Sequence, residues 1–166
     1  MTYKELMEVF DTTKKEVSTI HSEVENIQYS VKFNNRFNKA LGRCTKVGYN
    51  MYLIEINPTY ANMVELNSLK NTIVHEILHS LPKCMNHGPI WKEKAAKMAT
   101  LGYTIKRVSV ETNYSQYRKN NIKYKYIVYC PDCGREWKKQ KSSAVTQRPE
   151  RYICPCGKQN LKVKLC

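Results

Sequence analysis

Residues 72–94 read TIVHEILHSLPKCMNHGPIWKEK, and how this stretch is read decides the rest of the chain. It contains His75-Glu76-Ile77-Leu78-His79, an H-E-x-x-H pattern, and His87 follows eight residues after His79. Three of the four histidines in the chain fall here. Residues four apart on a helix lie one above the other, so His75 and His79 present both imidazoles to one point. Stepping about 100° per residue places Leu66, Leu69, Ile73, Val74, Ile77, Leu78 and Leu81 on one broad face. The two histidines point to roughly the opposite side, with Ser68 and Thr72 beside them and Glu76 at the edge. The pattern predicts a helix over residues 61–81, stopped by Pro82. Pro89 then opens another helix. Its inner face is Trp91, Ala95, Met98 and Leu101, and Gly102 stands at its left-handed end. His87 is therefore pinned just before a helix start.

These residue types in this order suit one chemistry. A catalytic zinc takes three protein ligands and keeps one open position, with Zn–N near ~2.0 Å. His75, His79 and His87 are the candidate set. Zinc brings the pKa of a water to about 7, and Glu76 can take that proton and pass it to a leaving amine. Such a site hydrolyses a peptide bond without a covalent intermediate. Two blander readings exist: histidines that merely face solvent, and a metal site without activity. Chance clustering of three of four histidines argues against the first.

Outward from this stretch, residues 3–27 read as a packing helix. Leu6, Val9, Phe10, Val17, Ile20, Val24 and Ile27 recur at three- and four-residue steps. His21 lies beside that stripe and reads as a surface or boundary histidine, not a ligand. Tyr29, Val31 and Phe33 alternate as in a strand. Gly48 and Asn50 mark a turn between Leu41–Cys44 and Met51–Ile56, which Asn57-Pro58 closes. The expectation is a small antiparallel sheet backing the helices. Residues 103–110 suit a strand, and the polar residues 111–123 a linker or exposed loop. A metal-bearing domain over 1–112 and a smaller module over 113–166 follow.

The second half differs in charge. Residues 1–102 hold 13 Lys/Arg against 10 Asp/Glu, a net of +3, and residues 103–166 hold 15 against 4, a net of +11. A near-neutral body with a basic appendage points to a polyanionic partner. Arg118, Lys119, Lys123, Lys125, Lys138, Lys139 and Lys141 are the candidate contacts, interleaved with Tyr114, Tyr117, Tyr124, Tyr126 and Tyr129. Cations neutralise phosphates and tyrosine faces stack on unpaired bases, which suits single-stranded or distorted DNA. Tyr124 and Tyr126 equally suit the filling of a strand. Cys130, Cys133, Cys154 and Cys156 are spaced like the two knuckles of a zinc ribbon. Such a closed, structural site staples a module too small to hold itself together. Cys166 is the reserve ligand. Cys44 and Cys84 read as small core residues, Cys84 within reach of the histidines.

VHEILH followed by HGPIWK, with LGRC and YLIEINP upstream and the cysteine-paired basic tail, resembles the SprT-like zinc metalloproteases, which include the Spartan proteases. The resemblance spans about residues 30–160. It implies an α+β, zincin-like fold, a small sheet with helices carrying the H-E-x-x-H site, followed by the ribbon. It implies His75, His79 and His87 as zinc ligands and Glu76 as general base. It also implies a DNA-linked role, since Spartan-type members cut proteins trapped on DNA. The gap from His79 to His87 is shorter than in many members. The chain has no apolar run long enough to span a membrane, and its opening residues lack the apolar core of a signal peptide. The expectation is a monomer in the cytoplasm, associated with the nucleoid or with phage-infected cytoplasm if prokaryotic. It would carry one catalytic and one structural zinc and act on proteins on DNA. The competing expectation is a non-catalytic nucleic-acid-binding zinc protein, an accessory to transcription or replication.

Overall fold

Alternation along Met51–Ile56 turns Tyr52, Ile54 and Ile56 inward, and this strand, β3, is the centre of a three-stranded sheet. Its neighbours are β1 (Gln28–Phe33) and β2 (Gly42–Gly48), in the order β1-β3-β2. The computed structural model describes residues 1–106 and 112–166. They fall into two units, Met1–Ser115 and Gln116–Cys166.

The expected antiparallel sheet is instead mixed. β2 and β3 form the anticipated hairpin, turning at Asn50 (φ 49°), while β1 pairs parallel to β3 with Tyr29 opposite Tyr52 and Val31 opposite Ile54. The chain leaving β1 crosses past β3 through residues 34–41 before returning as β2. This leaves β1 and β3 running the same way, a topology that alternation within each strand does not encode.

Helix α1 (Tyr3–Ser18) begins with a capping box, in which Thr2 and Glu5 satisfy each other's backbone N–H groups. It ends earlier than the apolar stripe predicts. Ser18 and Thr19 turn their hydroxyls onto the carbonyls of Lys15 and Glu16, a local alternative to further helix. Val24 and Ile27 still reach the core from a short 3-10 turn at Ser22–Asn26. His21 is not at the surface. It is buried, with Nε2 3.1 Å from the Lys94 carbonyl.

The single helix expected over 61–81 is two helices, α2 (Pro58–Met63) and α3 (Leu66–His79), with extended backbone at Val64. The Asn57 side chain caps α2. The break lets the Tyr60 hydroxyl reach the Ser68 carbonyl at 3.0 Å and the Thr72 hydroxyl at 2.8 Å. In a straight helix those groups lie about 12 and 18 Å along the axis from Tyr60. Leu69, Ile73, Val74, Ile77 and Leu78 of α3 are fully buried against α1 and the sheet. Each contributes roughly 1.5–3 kcal/mol by leaving water. Helix α4 (Pro89–Lys97) adds Trp91 and Ala95, and a 3-10 turn over Met98–Leu101 ends at Gly102 (φ 81°).

Tyr103–Lys106 forms no strand among the described residues, and residues 107–110 of the strand expected over 103–110 lie outside them. Thr112–Asn120, expected as a linker, is helix α5. Tyr114 is buried there against Tyr60 at 5.4 Å, and its hydroxyl lies 2.6 Å from Asn57 Nδ2. One anchoring residue in a polar segment leaves no periodicity to read.

The second unit is a three-stranded antiparallel sheet, β4 (Tyr126–Tyr129), β5 (Glu136–Lys139) and β6 (Lys162–Leu165), in the order β5-β4-β6. A short helix, α6 (Ala144–Gln147), stands between β5 and β6. Val128, Cys130, Cys154 and Leu161 are its buried residues. Among the described residues no helix is long and apolar enough to cross a membrane.

Candidate metal centre

The last two turns of α3 carry His75 and His79, and the loop before α4 returns His87 to them. The Nε2 atoms of His79 and His87 lie 3.2 and 3.0 Å from Nε2 of His75. One ligand nitrogen from each of the three lies within 4.8 Å of the others. Three imidazoles bound tetrahedrally at ~2.0 Å place their nitrogens about 3.3 Å apart, so the spacing fits.

Hydrogen bonding at the far side of two rings sets which lone pairs face that point. His75 Nδ1 donates to the Lys106 carbonyl at 3.0 Å, and His79 Nδ1 donates to the Cys84 carbonyl at 2.7 Å. With the proton on Nδ1, Nε2 of each neutral ring is a bare acceptor. Burial, then the nearby charges of His79 and His87, push His75 down to about 4, and burial lowers His79. Both rings are therefore neutral near pH 7. Two lone pairs facing each other at 3.2 Å repel unless a cation lies between them, and backbone carbonyls on ligand histidines are the usual support for one.

Glu76 follows His75 and is buried, not at the boundary that the helical wheel predicts. Burial raises its pKa to about 8, while the Cys44 N–H and the Arg43 charge pull the other way. The carboxylate is packed tightly. A Cβ added to Gly42 would stand 2.8 Å from Glu76 Cγ and Oε1, so β2 approaches the helix where only glycine fits. The Cys44 thiol, half-buried on the same strand, is pushed up to about 12 by burial and then by the Glu76 charge.

Trp91 forms the back wall. Its ring centroid lies 4.8, 5.6 and 4.6 Å from those of His75, His79 and His87. The indole is buried, and its Nε1 has no partner among the described residues. The sequence marks Trp91 only as an inward residue of its helix. The carbonyls of Cys84 and Lys106 carry no sequence signal at all.

The second cluster is built from knuckles. Cys130 Sγ lies 3.7 Å from Cys156 Sγ, and Cys133 Sγ 3.5 Å from Cys154 Sγ. The four sulfurs lie within 4.8 Å of one another. A tetrahedral zinc with Zn–S near ~2.3 Å sets sulfurs about 3.8 Å apart. Gly134 and Gly157 follow at φ 72° and 85°, which frees the turn to aim backbone N–H groups back at the sulfurs. The Lys158 N–H, then the Cys154 side chain, hold the Cys156 thiol down at about 7. Cys166 lies outside the cluster, at the end of β6.

The structure separates the basic candidates. Arg118 and Lys119 lie on α5, Lys123 and Lys125 precede β4, and Lys141 follows β5. Lys138 flanks Ile127 on the face of β4 opposite buried Val128, whereas Lys139 pairs with Tyr126 on the other face. Lys162 and Lys164, not singled out from sequence, share the Lys138 face, opposite Tyr129 and Ile127. Lys164 Nζ stands 5.3 Å over the Tyr129 ring and 2.9 Å from Glu136.

A family model described as the SprT-like family matches residues 4–115, more than half of the chain. No curated protein matches it.

Proposed function

The chain belongs to the SprT-like family, and from that premise we propose that it is a zinc-dependent metalloprotease acting on proteins associated with or crosslinked to DNA. In this reading it works in the cytoplasm as a monomer, with one catalytic and one structural zinc. Its basic ribbon unit brings it to single-stranded or distorted DNA. The observation that carries the catalytic half is the pair of bare Nε2 atoms on His75 and His79, 3.2 Å apart, with His87 closing the set and a buried carboxylate on the adjoining residue.

These three histidines would hold a zinc, which would supply a Lewis acid for the peptide carbonyl and acidify a water. Glu76 takes the proton from the attacking water and delivers it to the departing amine. A cation held beside it would favour the ionised, proton-accepting form of the Glu76 carboxylate. The Cys44 N–H and the close approach of Gly42 hold the carboxylate in one orientation. Trp91 keeps solvent from the back of the imidazoles.

The DNA half rests on charge and on one sheet face, where Lys138, Lys162 and Lys164 surround Ile127 and Tyr129. Lysines neutralise phosphate and an aromatic ring offers a stacking platform. The test is cleavage of a DNA-bound protein with and without added single-stranded DNA. Wild-type cleavage is expected to rise with DNA. Glu76→Gln is expected to lose roughly 10²–10⁴-fold in rate while keeping its zinc. Equal cleavage by Glu76→Gln sinks the assigned mechanism. Intact biological activity in that variant, with loss on removing residues 124–166, supports a non-catalytic nucleic-acid-binding protein instead.

A further inference from the structure

Asn71, His75 and His79 stand four residues apart on α3 and form one stripe. The segment Tyr103–Lys106 meets this stripe at two points. The Thr104 N–H donates to Asn71 Oδ1 at 2.9 Å, and the Lys106 carbonyl accepts from His75 Nδ1 at 3.0 Å. The segment is thus held in register by two contacts one helical turn apart. Its start is anchored separately, where the Tyr103 hydroxyl donates to Glu16, which pairs with Lys70 at 2.8 Å.

We propose that Asn71 is a positioning residue of the metal centre: by holding Thr104, it fixes the Lys106 carbonyl that keeps the His75 proton on Nδ1 and Nε2 free to bind metal. This rests on the zinc reading above. Without the Asn71 acceptor the segment keeps its anchors at Tyr103 and at Ile105, which packs on the core, but loses the one hydrogen bond that fixes its backbone beside the Lys106 carbonyl. Once the Lys106 carbonyl leaves, no other acceptor among the described residues holds the His75 proton on Nδ1. The tautomer with its proton on Nε2 cannot ligate.

The role is separable from folding. Asn71 is only half-buried, and a cleft of about 460 Å³ lined by Glu16, Asn67, Lys70 and Tyr103 opens on it. In Asn71→Ala, water from this cleft satisfies the Thr104 N–H. Alanine is also the better helix former, by up to ~0.7 kcal/mol. The variant is therefore expected to fold with undiminished thermal stability.

The experiment measures zinc affinity in the full chain by competition with a chelator. The histidine-site phase is identified as the one missing in His79→Ala. Asn71→Ala is expected to weaken that phase about tenfold, the low end of the range for groups that support a ligand, and to leave the cysteine phase unmoved. Asn71→Asp keeps an acceptor for Thr104 and is expected to retain wild-type affinity or better. Wild-type affinity in Asn71→Ala overturns the proposal. So does an equal loss in Asn71→Asp, which would make the amide itself the requirement. A wild-type protein with no histidine phase defeats the zinc reading first, an outcome distinct from either.

Discussion

The chain carries two metal-shaped clusters, and they stand in opposite relations to their surroundings. Among the described residues, the three histidines lie beside a large hydrophobic core that is built by other side chains, Leu69, Ile73, Ile77 and Leu78 among them. The cysteines lie in a unit with four buried hydrophobic residues, two of which, Cys130 and Cys154, are themselves candidate ligands. In the first unit the fold positions the site, through carbonyls supplied from residues 84 and 106. In the second, the ligands sit on local turns and the site positions the fold. Packing built without the ion can leave a coordination position open and place a buried carboxylate beside it. A site that must hold its own domain together is closed on all four sides.

Chelation is the harshest way to break that contrast. Where metal binding is folding energy, ~10–16 kcal/mol is at stake. Stripping zinc is therefore expected to abolish amide-exchange protection throughout β4, β5 and β6 while α1, α3 and β3 stay protected. Collapse of both units at one chelator concentration would erase the distinction.

A milder probe is Gly42→Ala. The added methyl needs the space of Glu76 Cγ and Oε1, an overpacking expected to cost about 1–3 kcal/mol. Displacing the base is expected to lower cleavage at least tenfold at unchanged zinc content. Wild-type cleavage in this variant would mean that the carboxylate works from another position.

The smallest effect lies away from both clusters. Burial holds the pKa of His21 below 6.5, although its bond to Lys94 and the charge of Glu23 oppose this. As pH falls, the unfolded chain takes up this proton first. The stability due to the neutral ring is intact above about 6.5 and is lost progressively below it. His21→Gln keeps a donor for the Lys94 carbonyl and has no proton to gain. Its melting temperature is expected to fall less than the wild type's between pH 6.5 and 5. Parallel decline of the two curves would show that His21 does not titrate on unfolding.

What could be read from sequence follows how local each signal is. His75, Glu76 and His79 announce themselves because four residues are one helical turn, and His87 because two prolines fence its loop. The cysteine pairs are visible for the same reason: each knuckle is a turn of three or four residues. Pairing between distant segments leaves no such trace. β1 lies parallel to β3 because of a crossover. Asn71 matters because residue 104 lies beside it, and Trp91 reads the same whether it backs a core or three imidazoles. The break at Val64 was hidden because the apolar stripe of α3 runs on smoothly while Tyr60 folds back over Thr72. On the basic tail, residue type alone could not separate Lys138 from Lys139, which differ only in the face of the sheet they occupy.

The loop from His79 to His87 has a metrical consequence. It is tethered at Cys84, whose carbonyl holds His79, and again at His87 itself. Only Met85 and Asn86 lie between the tethers, and both are exposed. Residues inserted between Met85 and Asn86 would bulge into solvent and leave both ends in place, with Asn86 Oδ1 still accepting from the Gly88 N–H. The same insertion between Ser80 and Lys83 would carry the carbonyl away from the ring it steadies. Length in this loop is therefore negotiable at one point only, and a chain that grows a larger rim around this centre has to grow it from residues 85–86.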